Sequence, residues 1–160
     1  MRWTVLDDSP IGTFSVATDG DGVCGAHFGP VAGAAEVPGD EVSRRAVAEL
    51  RAYFTGELTE FGVPINVPRG SEFERAVWRE MTRIPYGETL TYGEVARRVG
   101  DPGAARAVGV ACNRNPIPVV VPCHRIIGAG GKLVGFGGGL DRKVKLLELE
   151  AGVALRQAWS

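Results

Sequence analysis

The chain is organised around residues 115–140, which read NPIPVVVPCHRIIGAGGKLVGFGGGL. Cys123 lies in the middle of this stretch, directly before His124, one of only two histidines among the 160 residues. An apolar run that excludes water precedes the cysteine, and the glycine-rich segment Gly135–Leu140 follows it. Because glycine gives the backbone the freedom to close over a flat molecule, the stretch predicts a reactive site at the thiol of Cys123.

The residues beside Cys123 bear on its reactivity. A thiol becomes a nucleophile when it is deprotonated, which requires a base or a positive neighbour, and His124 and Arg125 are the immediate candidates. Adjacent side chains of an extended strand point to opposite faces, so contact between Cys123 and His124 needs either a turn at Pro122 or a bridging water. Proline restricts the residue before it and removes one amide donor, which favours such a turn.

The composition narrows the class of protein. With 44% apolar residues, the chain can bury one good core or two small ones. No apolar run approaches the roughly 20 residues that span a bilayer, and the N-terminus lacks a secretory pattern, so we expect a cytoplasmic protein without a membrane partner. Cys24, Cys112 and Cys123 form no C-x-x-C pair and, with two histidines, do not reach the spacing of a zinc site. Cysteine chemistry in a reducing cytoplasm uses a free thiol.

The net charge of −1 hides a difference between the two halves of the chain. Residues 1–70 carry five basic side chains against ten acidic ones, whereas residues 71–160 carry thirteen against nine. This asymmetry points to a polyanionic partner for the second half only. Unequal but fully solvated surfaces would give the same counts, so charge alone leaves both interpretations open.

The first part of the chain predicts a small α+β domain over residues 1–65. Three short segments have the apolar pattern of strands: Arg2–Leu6, Thr13–Thr18 and Val23–Phe28. A helix is expected from an N-cap at Asp40 to about Thr55, with an apolar face that packs on the sheet. Residues 62–70 contain two prolines and have the composition of a linker.

The second part predicts a largely helical domain over residues 71–155. Three helices have start signals: residues 71–83 and 91–100 begin with the capping boxes Ser71–Glu74 and Thr91–Glu94, and residues 101–113 begin with Asp101-Pro102 as N-cap and first-turn proline. Strands at Pro118–Val121, Arg125–Ile127 and Lys132–Val134 are expected next, the last two joined by a glycine turn into a wing-like hairpin. A last helix, from Asp141 to about Ala151, is expected to bury Val144, Leu147 and Ala151 and to end at Gly152.

The second and third helices of this domain, joined by a tight Gly-Asp-Pro turn, predict a helix-turn-helix with residues 103–113 in the recognition position. A reader of the major groove needs long polar side chains, and this helix offers mainly small residues and Arg106. Small side chains let a helix backbone approach a surface closely, and Arg106 can enter a DNA stack where a base has left. The same small residues would also suit tight packing between helices, and the residues alone do not decide between these interpretations.

Five motifs occur in order along the second domain: Tyr86-Gly87-Glu88 through Tyr92, Ala104-Ala105-Arg106-Ala107-Val108-Gly109, Asn115-Pro116, Pro122-Cys123-His124-Arg125 and Gly135–Leu140. Together they resemble the O6-alkylguanine-DNA alkyltransferases of bacterial type. The resemblance is close over residues 71–151, and the acidic first domain is similar to the more variable N-terminal domain of that family. It implies an α+β fold in which a ribonuclease-H-like sheet-plus-helix domain precedes a winged helix-turn-helix-like domain.

The resemblance implies direct DNA repair, in which the alkyl group of O6-alkylguanine moves irreversibly to Cys123 in a single turnover. His124 would take the thiol proton through a water and would be oriented by Glu150. Tyr92 would donate toward the guanine as it gains charge, and Asn115 would tie the turn that holds the thiol. The chemistry implied by the resemblance needs no cofactor and no metal.

The implied partner is duplex DNA, bound in the minor groove by a monomeric protein, with the damaged base flipped out. Cooperative binding, the range of alkyl groups and the repair of O4-alkylthymine stay open. The residues expected to contact DNA are Ala104, Ala105, Arg106, Gly109 and Arg125. The residues expected to line the guanine pocket are Val121, Phe136, Gly137 and Gly138.

The chain departs from the family pattern at two places. Phe136 stands where many members have tyrosine, and Cys112-Asn113 stands where bacterial members often have Asn-Gly. Cys112 leaves open a second reactive thiol.

Three other functions fit parts of the sequence less well. A lesion-sensing DNA-binding protein without transfer would lack the nucleophilic cysteine, which is present. A helix-turn-helix regulator would need more base-reading side chains, and a thiol hydrolase or redox protein would not need Arg106.

Overall fold

A computed structural model of the protein describes residues 1–133 and 136–159, and it divides into two units, Met1–Arg69 and Gly70–Ser160. The break between the units falls inside the segment 62–70, whose composition predicts a linker. The domain limits 1–65 and 71–155 stay a prediction. In the described part of the chain, no helix combines the length and the apolar character that crossing a membrane requires.

The first unit is an antiparallel sheet with one helix packed on it. Strand β1 (Arg2–Ser9) pairs with β2 (Gly12–Asp19), and β2 pairs with β3 (Gly22–Phe28). Helix α1 (Glu41–Phe54) packs on all three strands. The ring of Phe14 lies 5.5 Å from that of Phe28 and 5.9 Å from that of Phe54, which joins sheet and helix in one aromatic cluster. The predicted strands and helix of this unit are confirmed.

Local signals start these elements where the sequence predicts. The carboxylate of Asp19 accepts hydrogen bonds from the backbone amides of Asp21 (2.8 Å) and Gly22 (3.0 Å), closing the turn between β2 and β3. At α1, the carboxylate of Asp40 accepts from the amide of Ser43 (2.8 Å), and the hydroxyl of Ser43 accepts in return from the amide of Asp40 (3.1 Å). This reciprocal pair satisfies donors that a helix start would otherwise leave open.

The second unit is mainly helical, and the sheet in its described part is a ladder of two short strands. Its elements are α2 (Glu72–Thr82), β4 (Leu90–Thr91), α3 (Tyr92–Arg98), α4 (Ala105–Asn113), a 3-10 turn at Cys123–Arg125, β5 (Ile126–Ile127), a 3-10 turn at Ala129–Gly131, and α5 (Leu140–Trp159). Both capping boxes are present, since the amides of Glu74 and Glu94 donate to Ser71 and Thr91, and each glutamate accepts from its partner's amide. The predicted starts of α2 and α3 are therefore confirmed, as is the α+β class of the chain.

The third predicted helix begins later than its sequence signals indicate. Helix α4 starts at Ala105, after Ala104, whose side chain cannot cap it. The backbone oxygen of Asp101 accepts instead from the amide of Ala104 at 3.0 Å, and the amide of Asp101 itself donates to Ala96 in the last turn of α3. Asp101 and Pro102 therefore form the connection between the two helices, and the predicted N-cap at Asp101 is wrong.

The predicted strand at Pro118–Val121 is also wrong. Pro118 and Val121 form an isolated bridge around Val119, whose φ of 75° is unfavourable for a β-branched residue. In the described residues β5 pairs in parallel with β4, and residues 132–133 are not part of a strand, so the wing-like hairpin is not observed there. Val134, at the end of the predicted third strand, lies outside the described residues.

Helix α5 is longer than predicted and buries a different face. It continues through Gly152 to Trp159. A glycine in a helix interior costs only about 1 kcal/mol, which packing can offset. The buried positions of α5 are Lys143, Leu146, Glu150 and Val153, rather than Val144, Leu147 and Ala151. Two of the four buried residues are charged. A prediction from the spacing of apolar residues alone therefore selects the neighbouring face of the helix.

Candidate active site

Cys123 begins a 3-10 turn that directly follows Pro122. The amide of Arg125 donates to the carbonyl of Pro122 at 3.0 Å, and the amide of Ile126 donates to the carbonyl of Cys123. Cys123, His124 and Arg125 are all buried, with 6%, 0% and 7% of their surface exposed. The chain thus turns at Pro122, as the proline directly before Cys123 favours.

Asn115 ties this turn to the end of α4. Its side-chain amide donates to the carbonyl of Val121 at 2.8 Å, and its side-chain oxygen accepts from the amide of Ile117 at 2.9 Å. The carbonyl of Val121 also accepts from the amide of Cys123 at 2.8 Å. Two bonds from Asn115 and one from the Cys123 backbone therefore fix the loop that carries the thiol.

His124 and Arg125 both reach Glu150 on α5. Atom Nε2 of His124 lies 2.7 Å from Oε2 of Glu150, and the guanidinium of Arg125 donates to both carboxylate oxygens, at 2.7 and 2.9 Å. The amide of Gly87 adds a fourth contact, to Oε1, at 3.2 Å. Because a buried carboxylate is costly unless it is paired and hydrogen-bonded, these partners let Glu150 remain ionised inside the unit.

The pKa values of this group follow from the same contacts. Burial acts to raise the pKa of Glu150, but hydrogen bonds from His124 and Arg125 outweigh it and hold that pKa well below its usual range. Burial lowers the pKa of His124, more than the carboxylate of Glu150 raises it. The pair therefore rests as neutral imidazole and carboxylate, with Nε2 of His124 donating to Glu150 and the ring able to accept a proton.

Arg125 is not placed as the sequence led us to expect. Its guanidinium donates to Glu150 and also, at 2.9 Å, to the carbonyl of Ile84, and it lies 5.5 Å from the ring centre of Tyr86. A DNA phosphate binds arginine at the surface, whereas this side chain is buried. The geometry favours a structural role for Arg125, and the expected contact with DNA has no support in it.

The residues expected to line the guanine pocket differ in how well their geometry suits that role. The carbonyl of Val121 already accepts the two hydrogen bonds described above, so the geometry does not favour it as a reader of guanine. The amide of Gly139 donates to the carbonyl of Phe136 at 2.9 Å, and the guanidinium of Arg142 donates to that of Gly138 at 3.1 Å, so that a short turn at 136–139 leads into α5. Gly137 lies in that turn, and Gly135 lies outside the described residues.

Helix α4 presents the side chains expected at DNA. Arg106 is exposed, and Ala104, Ala105 and Gly109 are half-buried. A methyl group built on Gly109 would lie 3.8 Å from the ring of Tyr92 at the start of α3, an ordinary contact distance. The tyrosine and the small-residue helix therefore adjoin each other. Burial, with smaller effects from the thiols of Cys112 and Cys123, raises the pKa of Tyr92 to about 12.

The sequence did not single out Lys143, a buried residue that contacts the segment following Cys123. Its side chain is fully buried on α5, its Nζ donates to the carbonyl of Ile126 at 2.6 Å, and it lies 5.9 Å from the ring centre of Phe136. The one signal in the sequence is its spacing of seven residues from Glu150, which puts both on one helix face. Among the described residues, no three His, Cys, Asp or Glu side chains are grouped to hold a metal ion.

Burial also acts on the thiols. It raises the pKa of Cys123 more than a hydrogen bond from Asn115 and the charge of Lys143 lower it. Burial raises the pKa of Cys112 as well, with a further rise from Cys123. At rest both thiols are therefore protonated, and deprotonation of Cys123 has to accompany its reaction.

Family models match both units of the chain. A model described as 6-O-methylguanine DNA methyltransferase, DNA binding domain, matches residues 72–152. A second, described as 6-O-methylguanine DNA methyltransferase, ribonuclease-like domain, matches residues 1–67. The ribonuclease-like character expected of the first domain is thereby confirmed.

Individual proteins and structures agree with these models. A methylated-DNA–protein-cysteine methyltransferase of Methanosarcina acetivorans is 49% identical over 148 residues, or 89% of this chain and 94% of that protein. One of Mycolicibacterium paratuberculosis is 65% identical over 105 residues, a match that spans 66% of this chain and 63% of that protein. The crystal structure of Mycobacterium tuberculosis OGT in complex with DNA has a TM-score of 0.85 and 45% identity, covering 96% of this chain and 94% of that one. The chain therefore belongs to the 6-O-methylguanine DNA methyltransferase family.

Proposed function

We propose that this DNA-repair methyltransferase uses Cys123 as the residue that accepts the methyl group of O6-methylguanine. The observation that carries the proposal is the buried turn at Cys123, in which the adjacent His124 is held by Glu150 at 2.7 Å. A nucleophile, a base and a group that orients the base are thereby supplied by one short segment and one helix. Thioether formation is irreversible in a reducing cell, so each molecule acts once, and the free thiols accord with a cytoplasmic location.

The proposed step is an in-line displacement at the methyl carbon. Sγ of Cys123 forms a bond to that carbon, the bond from carbon to O6 breaks, and its electron pair stays on the guanine. The thiol proton passes through a water to His124, whose imidazolium the carboxylate of Glu150 stabilises. Tyr92, with its pKa of about 12, keeps its phenolic proton at neutral pH and donates toward the guanine as charge develops there.

We further propose that α4 delivers this site to the minor groove of duplex DNA. The exposed Arg106 enters the space left by the flipped base, and Ala104, Ala105 and Gly109 allow the helix backbone to approach the DNA. Support comes from the related structure of the Mycobacterium tuberculosis protein in complex with DNA. The protein binds as a monomer in this proposal, and cooperative binding stays open.

The decisive experiment measures where the methyl group goes. The protein is incubated with duplex DNA that contains one O6-methylguanine, and the peptide containing Cys123 is weighed by mass spectrometry. We expect a gain of one methyl group in wild-type protein and in Cys112→Ser, and none in Cys123→Ser. An unchanged Cys123 peptide with the lesion unrepaired would contradict the proposal and favour lesion sensing without transfer. A parallel duplex with O4-methylthymine tests the second substrate.

The role of Arg106 has its own test. Extruding a base costs a few kcal/mol in a duplex and much less in a single strand. Arg106→Ala should therefore slow methyl transfer from duplex DNA more than from a single strand with the same lesion. Arg97→Ala on α3, also an exposed arginine, serves as the charge-matched control. Equal losses on both substrates would remove Arg106 from base extrusion.

A further inference from the structure

A fully buried lysine calls for a physical explanation, since lysine is almost never fully buried unless its charge is paired. Lys143 has none of its surface exposed. Its Nζ donates to the carbonyl of Ile126 at 2.6 Å, and the amide of Ile126 in turn donates to the carbonyl of Cys123. Two successive hydrogen bonds therefore attach the ammonium group to the turn that begins at the reactive thiol.

We propose that Lys143 is a positioning residue whose ammonium charge stabilises the thiolate of Cys123 while the methyl group is transferred. The inference rests on the proposed function, because it concerns the same thiol. His124, held by Glu150, would remove the thiol proton, and Lys143 would favour the anion that remains. One face of α5 would thus carry both residues that act on the thiol, since Glu150 lies seven residues after Lys143.

The electrostatic surroundings support this assignment. The charge of Lys143 acts to lower the pKa of Cys123, and the thiolate acts to raise the pKa of Lys143, although burial shifts each of them the other way. The other titratable or charged groups around this pair are Cys112 on α4, Tyr92 on α3, His124 in the same turn, and the ion pair of Glu150 and Arg125 that contacts His124. The guanidinium of Arg125 is paired with Glu150, and the ammonium of Lys143 is the positive charge that acts on the thiol.

The size of the effect follows from thiol chemistry. When a thiol has a pKa above the ambient pH, each unit by which its pKa falls gives a tenfold larger thiolate fraction. The same unit lowers the intrinsic nucleophilicity of the thiolate about threefold, so the net gain is about threefold per unit. Loss of the Lys143 charge should therefore slow Cys123 near neutral pH, and the deficit should shrink as pH rises.

The test uses iodomethane, a methyl donor that needs no DNA. Sulfur displaces iodide in this reaction, and the methylated Cys123 peptide is followed by mass spectrometry from neutral to alkaline pH. We expect Lys143→Met to react at least about threefold more slowly at neutral pH, with rates that approach wild type as pH rises. Lys143→Arg, which keeps the charge, should restore the wild-type pH profile, and Lys145→Met, an exposed site on the same helix, should match wild type. A Lys143→Met profile that coincides with that of wild type would overturn the proposal.

A measurement on the wild-type protein covers the case in which Lys143→Met does not fold. NMR of 13C-labelled lysine side chains reports whether Lys143 is charged. We expect an ammonium at neutral pH, and a neutral amine there would overturn the inference.

The outcomes also separate the inference from the proposed function. If Cys123 accepts no methyl group from DNA but Lys143 still controls its reaction with iodomethane, the proposed function fails and the electrostatic role stands. If transfer from DNA occurs and the pH profile of Lys143→Met is unshifted, the inference alone fails.

Discussion

At the scale of single residues, Glu150 joins the chemistry of the site to its stability. The carboxylate is 1% exposed and takes hydrogen bonds from both His124 and Arg125. Removing one partner of a buried ion pair costs about 3–5 kcal/mol, because the other charge stays buried. A change at Glu150 should therefore affect both transfer and folding, and the two effects have to be measured apart.

Glu150→Gln should slow methyl transfer more than it weakens binding to lesion-containing DNA. The amide cannot stabilise the imidazolium of His124 by charge, whereas α4, the helix proposed to contact DNA, is left unchanged. Single-turnover transfer rates and fluorescence anisotropy with the same duplex measure the two quantities. A variant that loses binding but keeps its rate at saturating DNA would remove Glu150 from the proton path.

The stability contributed by Glu150 should depend on pH with a defined sign. Its pKa in the folded protein is depressed, so the contribution is complete above the unfolded value of about 4.3 and is lost as pH falls below it. The difference in melting temperature between wild type and Glu150→Gln should thus be largest near neutral pH and narrow below about pH 4. A difference that stays constant, or widens in acid, would contradict this account.

The sequence predicted individual site residues unevenly. Cys123, His124 and Asn115 could be proposed from the sequence because each belongs to a local motif. The contacts of Arg125 and Val121 within the fold do not favour the ligand contacts predicted for them, and a sequence does not show which polar groups are already bonded. Lys143 was missed for a similar reason, since a buried charge has no place in an apolar pattern.

At the scale of elements, two glycines of the second unit differ in what they allow. Gly70 precedes α2 with φ of 126°, and a methyl group there would lie 2.4 Å from the ring of Trp78. That ring cannot shift easily, since it is buried and its Nε1 donates to the carbonyl of Ala111 at 2.8 Å. Gly109 in α4 instead has room for a methyl group against Tyr92.

Gly70→Ala and Gly109→Ala should therefore have opposite effects on the free energy of unfolding. Gly70→Ala should destabilise by about 1–3 kcal/mol, through steric overlap and a strained backbone. Gly109→Ala should stabilise by about 0.5–1 kcal/mol, because alanine is the better helix former. Urea denaturation of both variants beside wild type measures the difference. A destabilised Gly109→Ala would mean that α4 and the Tyr92 ring are packed more tightly than a contact of 3.8 Å implies.

Element prediction succeeded where the cause was local. The capping boxes at Ser71 and Thr91 involve residues three apart, so the sequence contained all that was needed. The parallel pair of β4 and β5 joins residues 90–91 to 126–127, two segments too short to have a periodic pattern. The buried face of α5 was predicted incorrectly because two of its buried positions, Lys143 and Glu150, are charged.

At the scale of the whole molecule, the charge asymmetry read from the sequence is a property of the surface. In residues 71–160, two of the thirteen basic side chains, Arg125 and Lys143, are buried, and so are two of the nine acidic ones, Glu74 and Glu150. The net charge of +4 of residues 71–160 is therefore carried by side chains that are not buried. In residues 1–70 no charged side chain is among the buried residues, so the acidic excess of five is also external.

DNA binding should accordingly depend on salt, but only moderately. Neutralising about four phosphates predicts a slope near −3.6 in a plot of log affinity against log salt concentration, so raising salt from about 50 to about 200 mM should weaken binding roughly 100-fold. Fluorescence anisotropy with a labelled duplex measures the slope, and Cys123→Ser keeps the lesion intact during the titration. A lesion-free duplex is the control and should give the same slope, because phosphate contacts carry no sequence information. A slope near zero would mean that the positive surface of the second unit does not face the DNA backbone.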